Sequence, residues 1–280
     1  MLSTPFTFAL LVFLGSVGAG GFGAMLGLGG GMLLVPLLTL AFGVDIRYAI
    51  GASIVSVIAT SSGAAAAYVR ERLANIRVAI FLEIATVSGA MLGGFLTGRL
   101  PTNLLFFVFG IALSVASVAM LLKLRAPKDA PVPPSALADR LGLHGSYWDE
   151  AEGREISYRV TRPATGLALM FAAGGASGLL GIGSGALKVP AMDLAMRLPL
   201  KVSTATSNFM IGVTAAASAG VYFARGEIEP LIAGPVCAGV VLGAYLGGRY
   251  LPRARNTHLR VALVVVVIVT AIAMLRRGFS

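Results

Sequence analysis

Charge is what this chain has least of. Asp, Glu, Lys and Arg make up 12% of its 280 residues, where soluble domains carry roughly 25%. With 57% hydrophobic residues and a mean hydropathy of +0.87, a water-soluble globule is excluded, because one core of this size cannot hide so much apolar side chain. Cysteine occurs once, at Cys237, so neither an intrachain disulfide nor a cysteine metal cluster can form. The two histidines, His144 and His258, lie far apart in sequence with no carboxylate cluster at ligand spacing, and no metal site is indicated. No serine-histidine-acid or paired-carboxylate constellation stands out either, so no catalytic residue is named and an enzyme is not expected. No cofactor is implied.

What is present is long apolar sequence. Segments fall at 5–28, 31–43, 49–69, 77–98, 102–122, 164–182, 185–198, 202–223, 229–248 and 257–275, most of them near the 17 to 25 residues that cross a bilayer. Segments 31–43 and 185–198 are too short: at about 1.5 Å per residue they rise about 20 Å against a core of about 30 Å. They read as short, broken or re-entrant helices. The N-terminal run lacks a basic n-region and is read as a first span, not a cleaved signal.

The pattern occurs twice. Gly27-Leu-Gly-Gly-Gly31 followed by Pro36 matches Gly181-Ile-Gly-Ser-Gly185 followed by Pro190, an offset of 154 that also pairs Arg47 with Lys201, Ser53 with Ser207, Thr60 with Thr214 and Tyr68 with Tyr222. After an inferred deletion of four residues in the second half, Gly93, Gly98 and Arg99 pair with Gly243, Gly248 and Arg249. The expected architecture is an all-α polytopic membrane protein of two repeats, 1–122 and 164–280, each with about five apolar segments. A linker, 123–163, joins them. Five segments per half calls for inversion if each short segment returns the chain to the side it came from. Charge favours that reading: it sets sixteen Lys and Arg on one side against five on the other, whereas single crossings give 13 against 8. Both termini then lie outside and the linker lies in the cytoplasm. The net charge of +10 is thus topological, and without a clustered basic face or interleaved aromatics no nucleic-acid partner is expected. Within the linker, Gly145–Asp149 and Glu155–Val160 read as two short strands about a turn.

Several residues suit the handling of an anion. Gly29, Gly30 and Gly31, and their counterparts Gly183, Ser184 and Gly185, allow an irregular backbone that a membrane tolerates only where protein or water satisfies it. Each motif opens a short helix whose unpaired amides would face the turn; equally, such glycines serve close helix packing. Lys188 replaces the Leu34 of the first repeat, and a lysine within a span pairs, snorkels or lines a pathway. Ser53, Ser207 and Asn208 head the hydroxyl-rich stretches after the motifs and would complete an oxyanion shell, unless they bond their own helix carbonyls. Glu83, six residues into its span, is either a proton-coupling group or half of a salt bridge with a basic residue at the cytoplasmic end.

The duplicated glycine and proline block, Ala49-Ile-Gly-Ala-Ser-Ile54, Ser203-Thr-Ala-Thr-Ser-Asn208 and Leu92-Gly-Gly-Phe-Leu-Thr-Gly-Arg-Leu-Pro101 together resemble the TauE/SafE family of sulfite and organosulfonate permeases. The resemblance spans 5–122 and 164–275. It implies secondary-active transport of sulfite, sulfoacetate or related sulfonates across a bacterial inner membrane, with the bilayer, a small anion and a proton or sodium ion as partners and a homodimer left open. A passive anion channel and a non-transporting membrane subunit remain as alternatives.

Overall fold

A computed structural model describes residues 5–25, 30–70, 73–123, 135–149, 153–183, 185–250 and 256–279. Ten of its helices follow the apolar segments: α1 (Pro5–Met25), α2 (Gly31–Pro36), α3 (Ile46–Arg70), α4 (Ile76–Thr97) and α5 (Thr102–Lys123), then α7 (Pro163–Leu180), α8 (Gly185–Pro190), α9 (Leu200–Ala224), α10 (Pro230–Tyr250) and α11 (Asn256–Phe279). Between the two sets lie a short helix, α6 (Ala136–Arg140), and an antiparallel hairpin of β1 (Gly145–Asp149) and β2 (Arg154–Tyr158). The chain is an all-α polytopic membrane protein. Of the described helices, α1, α4 and α7 are long and apolar enough to cross a membrane on length and composition alone.

Four of the five helix pairs start 154 residues apart, with no deletion. α2 and α8 begin at Gly31 and Gly185, α3 and α9 at Ile46 and Leu200, α4 and α10 at Ile76 and Pro230, α5 and α11 at Thr102 and Asn256. This corrects the four-residue gap inferred from sequence. Packing gives the same answer: Gly89 lies against the Phe171 carbonyl and the Gly175 amide, and Gly243, 154 residues on, lies against the Val17 carbonyl and the Gly21 amide. Glycine recurs at four-residue steps in both helices, at Gly89 and Gly93 and at Gly239 and Gly243. A slip of one helical turn therefore sets glycine on glycine again.

Both short helices continue past a proline as π-helix, Leu37–Ala41 after Pro36 and Ala191–Ala195 after Pro190. Proline has no N–H for the α-ladder and crowds the preceding turn, and widening the ladder relieves both. Each segment turns back along the helix before it. Gly30 lies beside Gly23 of α1, Leu37 beside Gly15, and Phe42 packs edge-on against Phe8 with ring centroids 6.2 Å apart. In the second half the Met196 carbonyl accepts from Thr161 N–H, just before α7, at 3.1 Å. The 31–41 and 185–195 segments thus return to the ends where α1 and α7 began.

α3 and its counterpart α9 run antiparallel. Gly51, early in α3, abuts the Glu227 carbonyl just beyond α9, while Asn75, just beyond α3, donates its N–H to Thr206 near the start of α9 at 3.0 Å. α1 packs along α10 as α7 packs along α4. Arg47, bonded to the Leu100 carbonyl, and Arg277, bonded to the Thr39 carbonyl, mark one end of the bundle. At the other end the linker hairpin is fastened through Asn75, whose Nδ2 donates to the Leu143 carbonyl and to the Tyr158 hydroxyl. The same side chain caps α4 by accepting from Val78 N–H.

Candidate functional site

The two glycine turns meet beside α3. Gly30 (φ 73°), Gly181 (φ 67°) and Gly183 (φ 71°) occupy the left-handed region, which a side chain disfavours. Gly31, at the start of α2, faces the Gly181 carbonyl, the Ser53 hydroxyl and Val57, each 2.8 Å from where a β-carbon would stand. Ser53 donates to the Gly181 carbonyl at 2.8 Å and so ties α3 to the turn of the other half. Gly183 in turn lies between Val57 and Ile211, themselves 154 residues apart. Gly29 and Ser184 lie outside the described residues, and Gly185 opens α8.

A polar chain lies one turn away. Lys188 is fully buried, three residues into α8. Its Nζ donates to Thr214 Oγ1 of α9 at 2.7 Å, and that hydroxyl lies 2.6 Å from Glu83 Oε1 of α4 and 2.9 Å from its own Met210 carbonyl. The hydroxyl has one proton, so it accepts from Lys188 and donates to one of these two oxygens at a time. Glu83 Oε2 is buried without a hydrogen-bond partner. The carboxylate therefore does not pair with a basic residue at the helix end: Arg77 is bonded instead to the Gly142 carbonyl. Lysine and glutamate come from different halves and are bridged by one hydroxyl.

Other polar residues divide. Ser56, Thr60, Ser61 and Ser62 donate to carbonyls of their own helix, the ordinary use of hydroxyls in apolar helices. Ser207 and Asn208 are buried, and the Ser207 hydroxyl has no partner, whereas its counterpart Ser53 has one. Tyr222 was visible in the sequence only as one of a repeated pair of tyrosines. It is buried, its hydroxyl 2.8 Å from Thr97 Oγ1 and 2.7 Å from the Gly178 carbonyl, and it joins the ends of α4, α7 and α9. Asn75 was not singled out by sequence either; the signal was an asparagine directly before a helix start. Among the described residues no group of three or more metal-ligating side chains forms.

A helical bundle with two broken hairpins and a buried lysine linked to a glutamate beside one of them belongs to the class of polytopic membrane transport proteins. The chain matches the family model described as Sulfite exporter TauE/SafE over residues 12–274, and it belongs to that family. It is 30% identical over 268 residues to a protein of Bacillus subtilis (strain 168) named Probable membrane transporter protein YunE, covering 93% of each chain. It is 27% identical over 252 residues to Probable membrane transporter protein YdhB of the same organism, with 89% of each covered. A Probable membrane transporter protein of Xylella fastidiosa (strain 9a5c) is 28% identical over 241 residues, 85% of this chain and 84% of its own. The family and these names indicate a membrane transporter, not an enzyme. No solved structure matches the chain.

Proposed function

We propose that the protein is a secondary-active transporter of small sulfur-containing anions, sulfite, sulfoacetate or related organosulfonates, working by alternating access in a bacterial inner membrane. Lys188 binds the anion, the glycine turns at Gly29–Gly31 and Gly183–Gly185 cradle it with Ser53, Ser207 and Asn208, and Glu83 couples its movement to protons. The two halves, 1–122 and 164–280, are inverted repeats that rock about the glycine turns, with both termini outside and the linker in the cytoplasm.

The observation that carries this reading is the full burial of Lys188 one turn past the second glycine turn. A buried cation is costly and persists where it pairs or lines a pathway, and here it holds the other half of the molecule through Thr214. The antiparallel course of α3 and α9 and the two returning hairpins support inversion. The excess of basic residues at the linker end supports its cytoplasmic placement.

The test is flux of sulfite and sulfoacetate into proteoliposomes with proton and sodium gradients imposed separately. Gradient-driven accumulation of at least one of the two anions is expected. Flux that equilibrates but never accumulates under any gradient would replace the transporter with a passive channel. Reporter fusions at the C-terminus and within 123–162 should report opposite sides, and the same side for both would remove the inversion.

A further inference from the structure

The repeat shows how unusual the charge pair is. At an offset of 154, Lys188, Thr214 and Glu83 correspond to Leu34, Thr60 and Cys237. Only the hydroxyl is shared; both charges are missing from the equivalent place in the other arrangement of halves. The two charges therefore occur together at one position and are absent together at the other.

Resting on the anion-transport reading, we infer that this site carries singly charged anions, each with one proton, the anion held by Lys188 and the proton by Glu83. With Lys188 as ammonium and Glu83 as carboxylate, linked through Thr214, the empty site is neutral. An anion that reaches Lys188 adds a negative charge beside Glu83, and a monoanion arriving alone leaves the site one charge negative, which an apolar bundle opposes. If a proton joins Glu83 at the same step, the loaded site is neutral again. The proton has a place to go: Glu83 Oε2 is buried with no partner, and the resulting hydroxyl would donate to an oxygen of the incoming anion. A dianion with one proton leaves the site negative. Bisulfite and simple monosulfonates are then carried, and the sulfite dianion and sulfoacetate are carried poorly.

Among the described residues no neighbouring group offers a substitute for this exchange. Thr86, beside the carboxylate, and Thr214 are neutral hydroxyls. α7, packed along α4, contains no ionisable side chain, α9 has Lys201 in its first turn and Tyr222 near its far end, and α4 itself adds Arg77, which is held by the Gly142 carbonyl. On α8 and its π-helical continuation the ionisable side chains are Lys188 and Asp193, the latter more than a turn beyond. Because loaded and empty sites are both neutral, the cycle moves no net charge, and flow follows the combined anion and proton gradients in either direction.

The experiment uses purified full-length protein in proteoliposomes with methanesulfonate as the monoanion and sulfoacetate as the dianion. Methanesulfonate should accumulate on the alkaline side of an imposed pH gradient and respond to a potassium-diffusion potential by less than twofold, with sulfoacetate at least tenfold slower. Glu83→Gln should lose pH-driven accumulation, while methanesulfonate exchange falls less, since the amide stands in for the protonated acid. Methanesulfonate binding to the wild-type protein, titrated in buffers of different ionisation enthalpy, should take up about one proton per anion, a readout that needs no variant. Three outcomes overturn the inference while leaving anion transport intact: methanesulfonate flux indifferent to pH, equal handling of sulfoacetate, or full pH-driven accumulation by Glu83→Gln. Absence of flux for every anion tested would overturn both.

Discussion

Gly31→Ala places one methyl group where the two halves meet. Its β-carbon would stand 2.8 Å from the Gly181 carbonyl oxygen, the Ser53 hydroxyl and a Val57 methyl at once. Ordinary contact begins near 3.4 Å, so three neighbours on two elements must each retreat by about 0.6 Å, and one of them is backbone. The Ser53 to Gly181 bond, 2.8 Å long, joins two of those three neighbours and is the first contact at risk. Overpacking of this kind costs about 1 to 3 kcal/mol, and a lost buried hydrogen bond leaves donor and carbonyl unsatisfied at a similar cost. The helical preference of alanine over glycine returns about 1 kcal/mol, so the net expectation for Gly31→Ala is a loss of about 1 to 5 kcal/mol, and Gly31→Val should be worse. Gly220→Ala is the control, because nothing lies within 4 Å of its β-carbon position, and it should be neutral or mildly stabilising. Thermal unfolding in detergent and anion flux in vesicles read the two consequences separately. A Gly31→Ala protein that melts with the control and transports at the wild-type rate would refute the close-approach argument for the turn.

Two further outcomes follow from the hydrogen bonds. Ser53→Ala removes the bond to the Gly181 carbonyl and should cost about 1 kcal/mol or somewhat more, whereas Ser207→Ala removes a hydroxyl with no partner and should leave stability unchanged while weakening anion binding; equal stability losses would place Ser207 in a purely structural role. At the linker, Asp139 accepts from His144 at 2.7 Å and from Arg159 at 2.9 Å, and these bonds hold its carboxyl below the ordinary value of 3.8. The folded form thus binds that proton more weakly than the unfolded form, so the contribution is complete above about pH 5 and is lost as the pH falls through 3.8 and below. The protection of the Val160 amide, which donates to His144 Nδ1, relative to its unfolded exchange rate at the same pH should fall over that range, and constant protection down to pH 3 would count against the network.

Much of the fold was legible because lipid-facing helices need long apolar runs, and the two segments too short to cross stood out by length alone. The 154-residue repeat was legible from the glycine and proline blocks. Its continuation through α10 was not, because glycines spaced one turn apart in α4 and α10 make a four-residue slip nearly invisible in sequence. The π-helical turns after Pro36 and Pro190 likewise have no periodic signature in five residues. Glu83, Thr214 and Lys188 were each conspicuous as polar groups in apolar helices, but their linkage was not. They are separated by up to 131 residues, and only the packing of α4 and α8 on α9 brings them together. Had the offset of 154 been carried through α10, the pairing of Glu83 with Cys237 would have shown in advance that both charges are confined to one of two equivalent places.

The most direct test of the account is anion binding to Lys188 itself. Wild-type protein and Lys188→Met, both shown to be folded by their melting curves, are compared for bisulfite and methanesulfonate binding by calorimetry. Binding to the wild-type protein and at least a tenfold loss in Lys188→Met is the predicted result. Equal affinity in the two folded proteins would contradict the claim that this buried lysine holds the transported anion.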